Sequence, residues 1–118
     1  MAEATLQTMC IDFSVQIINL VRELRANHET IISSQIGRSG TSIGANIHEA
    51  QYAQSTKDFV SKLEIALKES GETLYWLELL KRTEYIDTKT YASLYSACKN
   101  LRNMLIAVCR TTKENNKL

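Results

Sequence analysis

The stretch YASLYSACKNLRNMLIAV, residues 91–108, carries the most regular hydrophobic pattern in the chain. Its apolar side chains recur at alternating spacings of three and four residues, at Tyr91, Leu94, Cys98, Leu101, Leu105 and Val108. This heptad repeat is typical of a helix that buries one face against neighbouring helices. The stretch therefore predicts an α-helix over residues 88–113, with Asp87 as its N-terminal cap.

Three further segments with helical periodicity precede this one. Residues 4–26 repeat the same spacing at Leu6, Cys10, Phe13, Ile17, Leu20 and Leu24, and the seam is widened by Ile11, Ile18 and Val21. Helices are also predicted over residues 29–53, after a cap at Asn27, and over 56–82, after a cap at Ser55. The chain of 118 residues has no proline and only four glycines, so little interrupts these helices. The sequence predicts one all-α domain over residues 1–118, an up-down-up-down antiparallel four-helix bundle.

The second predicted helix has an unusual surface. An apolar stripe lies between a glycine flank and a polar flank, which are formed by Gly37, Gly40 and Gly44 and by Gln35, Arg38, Ser39, Ser42, Asn46 and Glu49. Glycine within a helix costs about 0.5–1 kcal/mol relative to alanine, so the glycine flank indicates close approach of a helix or a ligand. The polar flank fits a structural network within or between subunits, in which Arg38 pairs with Glu49 or with a neighbouring helix. A ligand or nucleic-acid site and, least of all, catalysis by Arg38, Asn46 and Glu49 are its other interpretations.

The third predicted helix is apolar on two sides. One seam consists of Phe59, Leu63, Ala66, Ser70, Leu74 and Leu77, and a second side consists of Ile65, Trp76, Leu79 and Leu80. A helix that is apolar on two sides packs on two sides. The second side is therefore either part of a deeply buried core or an interface between subunits.

Residues 35–49, QIGRSGTSIGANIHE, and residues 58–80, DFVSKLEIALKESGETLYWLELL, resemble the second and third helices of the 23S rRNA-intervening-sequence protein family. The chain departs from the family pattern at Ala50, where a glycine is usual, and at residues 27–30, where an aromatic residue and a proline are common. The resemblance implies a small bacterial four-helix bundle. These proteins are similar to the accessory variability determinant of diversity-generating retroelements, a pentamer that binds nucleic acid and partners a reverse transcriptase. By this resemblance the chain is expected to form a homopentamer.

The last quarter of the chain is basic although the whole chain has a net charge of only +1. Residues 86–118 hold six basic and two acidic side chains, a local charge of +4. One sector of the fourth helix holds Tyr95, Lys99, Arg102, Arg110, Lys113 and Lys117. Such a stripe suits phosphate contacts and base stacking. It is also compatible with an ordinary solvated face whose cations favour the helix C-terminus.

The sequence predicts no metal site, no cofactor and no catalytic residue. His28 and His48 are twenty residues apart without a partner at ligand spacing, and the glycines follow no strand. The cysteines are three in number and form no CxxC pair, which indicates reduced thiols in a cytoplasmic protein. No apolar run approaches the ~18 residues that a membrane span needs. We therefore expect a non-enzymatic, self-assembling bundle that binds RNA, DNA or a nucleic-acid-processing protein. The alternative is a purely structural protein–protein interaction module.

Overall fold

The structure, a computed structural model, describes residues 5–117. It contains four helices, α1 (Leu6–Ala26), α2 (Ile31–Ala50), α3 (Thr56–Arg82) and α4 (Thr88–Asn116), and no strand within the described range. The predicted all-α, four-helix class is confirmed. The predicted helix start at Ala4 and the two ends of the predicted domain, residues 1–4 and 118, lie outside the described residues.

Cross-helix contacts give each consecutive pair of helices an antiparallel orientation. On α1 and α2, Val21 lies next to Gly37 while Ser14 lies next to Gly44. On α2 and α3, Arg38 contacts Glu72 while Glu49 contacts Lys62, so these two helices run in opposite directions. On α3 and α4, Glu78 contacts Tyr91 and Glu64 contacts Lys113. Of the neighbouring helices, α1 and α4 approach each other least, and an open cleft of about 540 Å³ lies between them.

The core is built from one seam of each helix. The largest fully buried apolar side chains are Phe13, Ile17, Leu24, Ile36, Ile43, Ile47, Leu63, Leu77, Leu80, Leu101 and Leu105. Burying a side chain of this size stabilises the fold by about 1.5–3 kcal/mol. On α4 the heptad residues Leu94 and Cys98 are also buried, and the seam continues to Cys109.

The first connection differs from the prediction because Glu29, not Asn27, caps α2. Asn27 ends α1, and His28 adopts a positive φ of 65° that reverses the chain. The buried Glu29 carboxylate then accepts hydrogen bonds from the backbone N–H groups of Ile31, Ile32 and Ser33. The helix therefore begins at Ile31, two residues later than predicted, and it ends at Ala50 rather than residue 53.

Three sequence-based assignments of side chains to faces are wrong. Ile11 and Ile18 are exposed by 61% and 45%, because each follows a buried residue by one position and points about 100° away from the core. Leu80 is fully buried in its own chain and is unavailable to a subunit interface. The seam of α3 passes through Thr73 instead of Leu74. From Thr73, spacings of four and three residues lead to the buried Leu77 and Leu80.

Candidate functional site

The polar flank of α2 faces α3. The guanidinium of Arg38 contacts the carboxylates of Glu69, at 3.0 Å, and Glu72. Glu69 is buried, so the charged pair fixes the position of Arg38 although that side chain is half exposed. The Glu72 carboxylate also accepts a hydrogen bond from the indole N–H of Trp76, at 3.0 Å. Arg38 therefore pairs with the neighbouring helix and not with Glu49.

A second polar contact lies beneath this pair, inside the core. The hydroxyl of Thr73 lies 2.9 Å from Ser39 Oγ and 2.9 Å from the backbone carbonyl oxygen of Glu69. Both side chains are fully buried. Within residues 5–117, every buried side-chain nitrogen and oxygen has a hydrogen-bond partner. The network is thus satisfied, which is the condition under which buried polar groups stabilise one alignment of two helices.

The remainder of the polar flank does not converge on a common point. Asn46 donates to the carbonyl of Ser42 on its own helix, at 2.9 Å, while Glu49 pairs with Lys62 at 3.3 Å. Gln35 is exposed. Each of Arg38, Asn46 and Glu49 therefore has a different partner.

The glycine flank of α2 is the surface against which α1 packs. A Cβ atom built on Gly40 would lie 2.9 Å from two carbons of the Ile17 side chain. One built on Gly37 would lie 3.3 Å from Val21, and one on Gly44 would lie 3.1 Å from Ser14 Oγ. The glycines thus admit a neighbouring helix, and α1 occupies the space that a ligand would need.

The residues predicted as a subunit interface on α3 are not equivalent. Ile65 is exposed, whereas Trp76 and Leu79 are partly buried against the core and Leu80 lies within it. Ile65 and Trp76 lie on the flank of α3 that also carries Glu69 and Glu72, next to the polar row of α2. This flank is accordingly a mixed polar and aromatic surface.

A larger exposed apolar strip lies on α1, where sequence reasoning did not place an interface. Ile11, Val15 and Ile18 are exposed and follow one another at spacings of four and three residues. They border a groove of about 180 Å³ whose wall on α2 is formed by Gly44 and His48. The signal was present in the sequence as a second apolar stripe, but it was interpreted as the edge of the core seam.

The predicted basic stripe lies on the side of α4 that is next to α3. Lys113 Nζ contacts the Glu64 carboxylate at 2.9 Å, and this pairing raises the pKa of Lys113. Lys117 lies at the C-terminal cap of α4, in the left-handed conformation. Among residues 5–117, no carboxylate lies within ion-pair distance of Lys99, Arg102 or Arg110.

Tyr95 lies beside this stripe and is oriented by a neighbouring tyrosine. The rings of Tyr91 and Tyr95 are 5.3 Å apart, and the Tyr91 hydroxyl donates to Glu78 at 3.0 Å. Burial and the adjacent Glu78 carboxylate raise the pKa of Tyr91. The aromatic pair thus forms one end of the basic stripe.

The cysteines and histidines form no site. All three cysteines are buried free thiols, and burial raises the pKa of the Cys98 thiol to about 12. Residues 5–117 contain no group of three or more His, Cys, Asp and Glu side chains that would hold a metal ion. None of the helices in that range is both long and apolar enough to cross a bilayer.

Comparison with known proteins agrees with the family resemblance at residues 35–49 of α2 and 58–80 of α3. The family model for the 23S rRNA-intervening sequence protein matches residues 3–107. The chain is also similar to a protein of unknown function from the S23 ribosomal protein family of Bacteroides thetaiotaomicron VPI-5482. The two sequences are 48% identical, and the crystal structure of that protein superposes on this one with a TM-score of 0.87. The match covers 89% of this chain and 98% of that chain. No curated protein matches the sequence. Since the family model spans α1 to α3 and most of α4, the chain belongs to the 23S rRNA-intervening sequence protein family.

Proposed function

We propose that this protein is a non-enzymatic helical bundle that self-assembles and binds RNA or DNA through α4. The observation that carries the proposal is the group of three cations on one side of α4, Lys99, Arg102 and Arg110, which have no acidic partner among the described residues. A nucleic-acid-processing protein would be a suitable partner, because both proteins would bind the same RNA or DNA.

The dimensions of the stripe suit a phosphate backbone. Lys99 and Arg110 are separated by about 16 Å along the helix axis at a rise of about 1.5 Å per residue. Phosphates follow one another at about 3.4 Å per strand, so the stripe spans roughly five of them. Binding of this kind releases counterions and weakens steeply as salt concentration rises.

The test measures binding of a fluorescein-labelled RNA with stem and loop segments by anisotropy over a range of salt concentrations. We expect measurable binding at low salt and a large loss in the triple variant Lys99→Glu, Arg102→Glu, Arg110→Glu. The control is a variant with the same change in net charge at exposed cations elsewhere, Arg22→Glu, Arg25→Glu, Lys57→Glu. Equal loss in both variants, or no binding by the wild-type protein at low salt, would contradict the proposal.

A second candidate function is a purely structural module that assembles without binding nucleic acid. It is favoured by the exposed α1 strip of Ile11, Val15 and Ile18, because contiguous exposed aliphatic side chains mark interaction surfaces. By the family resemblance we expect the assembly to be a homopentamer.

Light scattering at micromolar concentration distinguishes the two faces that could mediate assembly. The double variant Ile11→Lys, Ile18→Lys should reduce the molar mass to that of the monomer if α1 forms the interface. Trp76→Glu should do so if the outer flank of α3 forms it. A wild-type protein that is monomeric under these conditions would exclude self-assembly, and an assembly that binds no RNA at low salt would favour the structural module.

A further inference from the structure

Gly71 lies in the middle of α3 and differs from the three glycines of α2. A Cβ atom built on Gly71 would meet no atom within 4 Å, and the residue is exposed. Glycine weakens the interior of a helix relative to alanine. Because no neighbouring helix needs the space at this position, packing within the bundle does not account for the residue.

The alignment of α3 with α4 shows which residues of α4 lie at the same level as Gly71. Tyr91 contacts Glu78, and the Cys98 thiol lies 3.5 Å from the Ser70 carbonyl oxygen. Since the helices are antiparallel, this alignment places Gly71 level with Lys99 to within about one helical turn. By the same alignment Lys68 lies level with Arg102, and Tyr75 lies level with Tyr95.

Among residues 5–117, no carboxylate lies within ion-pair distance of Lys68, Lys99 or Arg102. Glu64 is held by Lys113, at the far end of the helix pair. Glu69 and Glu72 contact Arg38 on the other side of α3. Glu78 accepts hydrogen bonds from Arg82 and Tyr91. Like charges on neighbouring surfaces repel, and an anion between them would relieve the repulsion.

Aromatic side chains flank the same position. Tyr75 is more than half exposed, and its ring lies 4.9 Å from the Trp76 ring, which supports it from one side. Tyr95 is partly exposed, and its ring packs against the Tyr91 ring at a centroid distance of 5.3 Å. Supported, accessible rings stack with unpaired bases, whereas the bases of a duplex have their faces covered by one another.

We propose that an unpaired segment of nucleic acid binds at the Gly71 surface, which consists of Lys68, Gly71, Tyr75, Tyr95, Lys99 and Arg102. This inference rests on the proposed function and adds to it the contribution of α3 and the preference for unpaired strands. Phosphates contact the three cations, the sugar–phosphate backbone approaches α3 closely at Gly71, and bases stack on Tyr75 and Tyr95.

The experiment compares two labelled probes with the full chain at low salt, a 20-nucleotide single-stranded RNA without self-complementarity and its duplex. We expect the single strand to bind about tenfold more tightly, because stacking is available only to it. Tyr75→Ala and Gly71→Leu should each weaken single-strand binding severalfold and leave duplex binding nearly unchanged, whereas Lys68→Gln should weaken the binding of both probes because both carry phosphates. The matched controls are Tyr85→Ala and Lys57→Gln, at exposed positions away from this surface.

Gly71→Ala provides a variant that is expected to fold better than the wild type, because alanine favours a helix at an open position. Weaker single-strand binding by this more stable protein would support the inference against a loss of folding. If the α3 variants bind both probes normally while the Lys99, Arg102, Arg110 triple variant does not, the inference is overturned and the proposed function stands. If the wild-type protein binds neither probe at low salt, both are overturned.

Discussion

Glycine has opposite consequences at two positions of this bundle. At Gly40 the neighbouring Ile17 is fully buried and leaves no room for a methyl group. At Gly71 the space is open. The intrinsic preference of a helix for alanine therefore decides the outcome at Gly71, whereas overpacking decides it at Gly40.

We expect Gly40→Ala to lower the free energy of unfolding by about 1–3 kcal/mol, because the bulk of Ile17 must move within a packed core. Gly71→Ala should raise it by about 0.5–1 kcal/mol. Urea denaturation followed by circular dichroism measures both. A Gly40→Ala protein as stable as Gly71→Ala would mean that α1 and α2 do not approach as closely as described.

The Cys98 thiol links stability to alkaline pH. Burial raises its pKa from an ordinary value of 9.0 to about 12. Between these values the unfolded thiol loses its proton while the folded one keeps it, so the unfolded state binds fewer protons. The free energy of unfolding should fall as pH rises from 9 to 12. Urea titrations at pH 8 to 11 should show a smaller fall in Cys98→Ala, and identical slopes would contradict this account.

The start of α2 depends on one buried carboxylate. Glu29 accepts three backbone hydrogen bonds at distances between 2.6 and 3.1 Å, and the Ser33 hydroxyl donates to its carbonyl oxygen at 2.9 Å. Its negative charge also lies at the positive end of the helix dipole. One side chain thus replaces the Ser, Thr, Asp or Asn that usually caps a helix.

Glu29→Ala should lower the free energy of unfolding by about 1–3 kcal/mol, because it leaves buried N–H groups without an acceptor. Ser55→Ala removes the exposed cap of α3, where Ser55 Oγ accepts from the Asp58 N–H at 3.0 Å. Water can replace that acceptor, so we expect a smaller loss, near the lower end of the 0.5–2 kcal/mol range for such caps. Thermal unfolding would compare the two, and the reverse order would contradict the assignment of Glu29 as a cap.

At the level of the elements, periodicity predicted the four helices but not every inward face. The strict heptads of α4 indicated a single inward face, and the buried residues of that helix follow the predicted seam as far as Leu105. On α3 the predicted seam ran through Leu74, but the structure buries Thr73 completely and Leu74 only partly. The buried hydrogen bond from Thr73 to Ser39 decided otherwise, and its partner lies 34 positions away in sequence. Long-range polar partners of this kind cannot be read from a local pattern.

The candidate site shows the same division. The polar flank of α2 was recognisable from the sequence as a row of side chains. The sequence did not decide whether Arg38 pairs with Glu49 or with a residue on another helix. The Gly71 surface was not recognised, because Lys68 and Tyr75 on α3 become neighbours of the α4 stripe only through the alignment of the two helices. Residues on one helix could thus be grouped from sequence, whereas groups that combine two helices could not.

At the scale of the whole molecule, the four helices are not equally well packed. The helix pair α2–α3 is the most extensive, while α1 and α4 leave an open cleft whose lining includes the polar side chains of Gln16, Asn19 and Ser93. Segments with fewer buried contacts open locally at lower free energy than the rest of a protein. The edge between α1 and α4 is therefore the weakest part of the bundle.

Native-state hydrogen exchange should detect this difference. We expect the amides of α1 to exchange through a partial opening, with protection factors below those of the central residues of α3. The core amides of α3, near Thr73, should exchange only on global unfolding. Equal protection in α1 and α3 would show that the bundle opens as a single unit despite the cleft.

The contact between Ser39 and Thr73 has a consequence for the folding landscape. Four amphipathic helices can slide past one another by a heptad and still bury their leucines, which creates competing compact states. A shift of α2 along α3 would separate Ser39 from Thr73 and would leave the buried Glu69 carboxylate without the Arg38 cation, which is unfavourable. The small polar pair therefore works chiefly by destabilising misaligned bundles, and its loss should produce conformational heterogeneity before it produces unfolding.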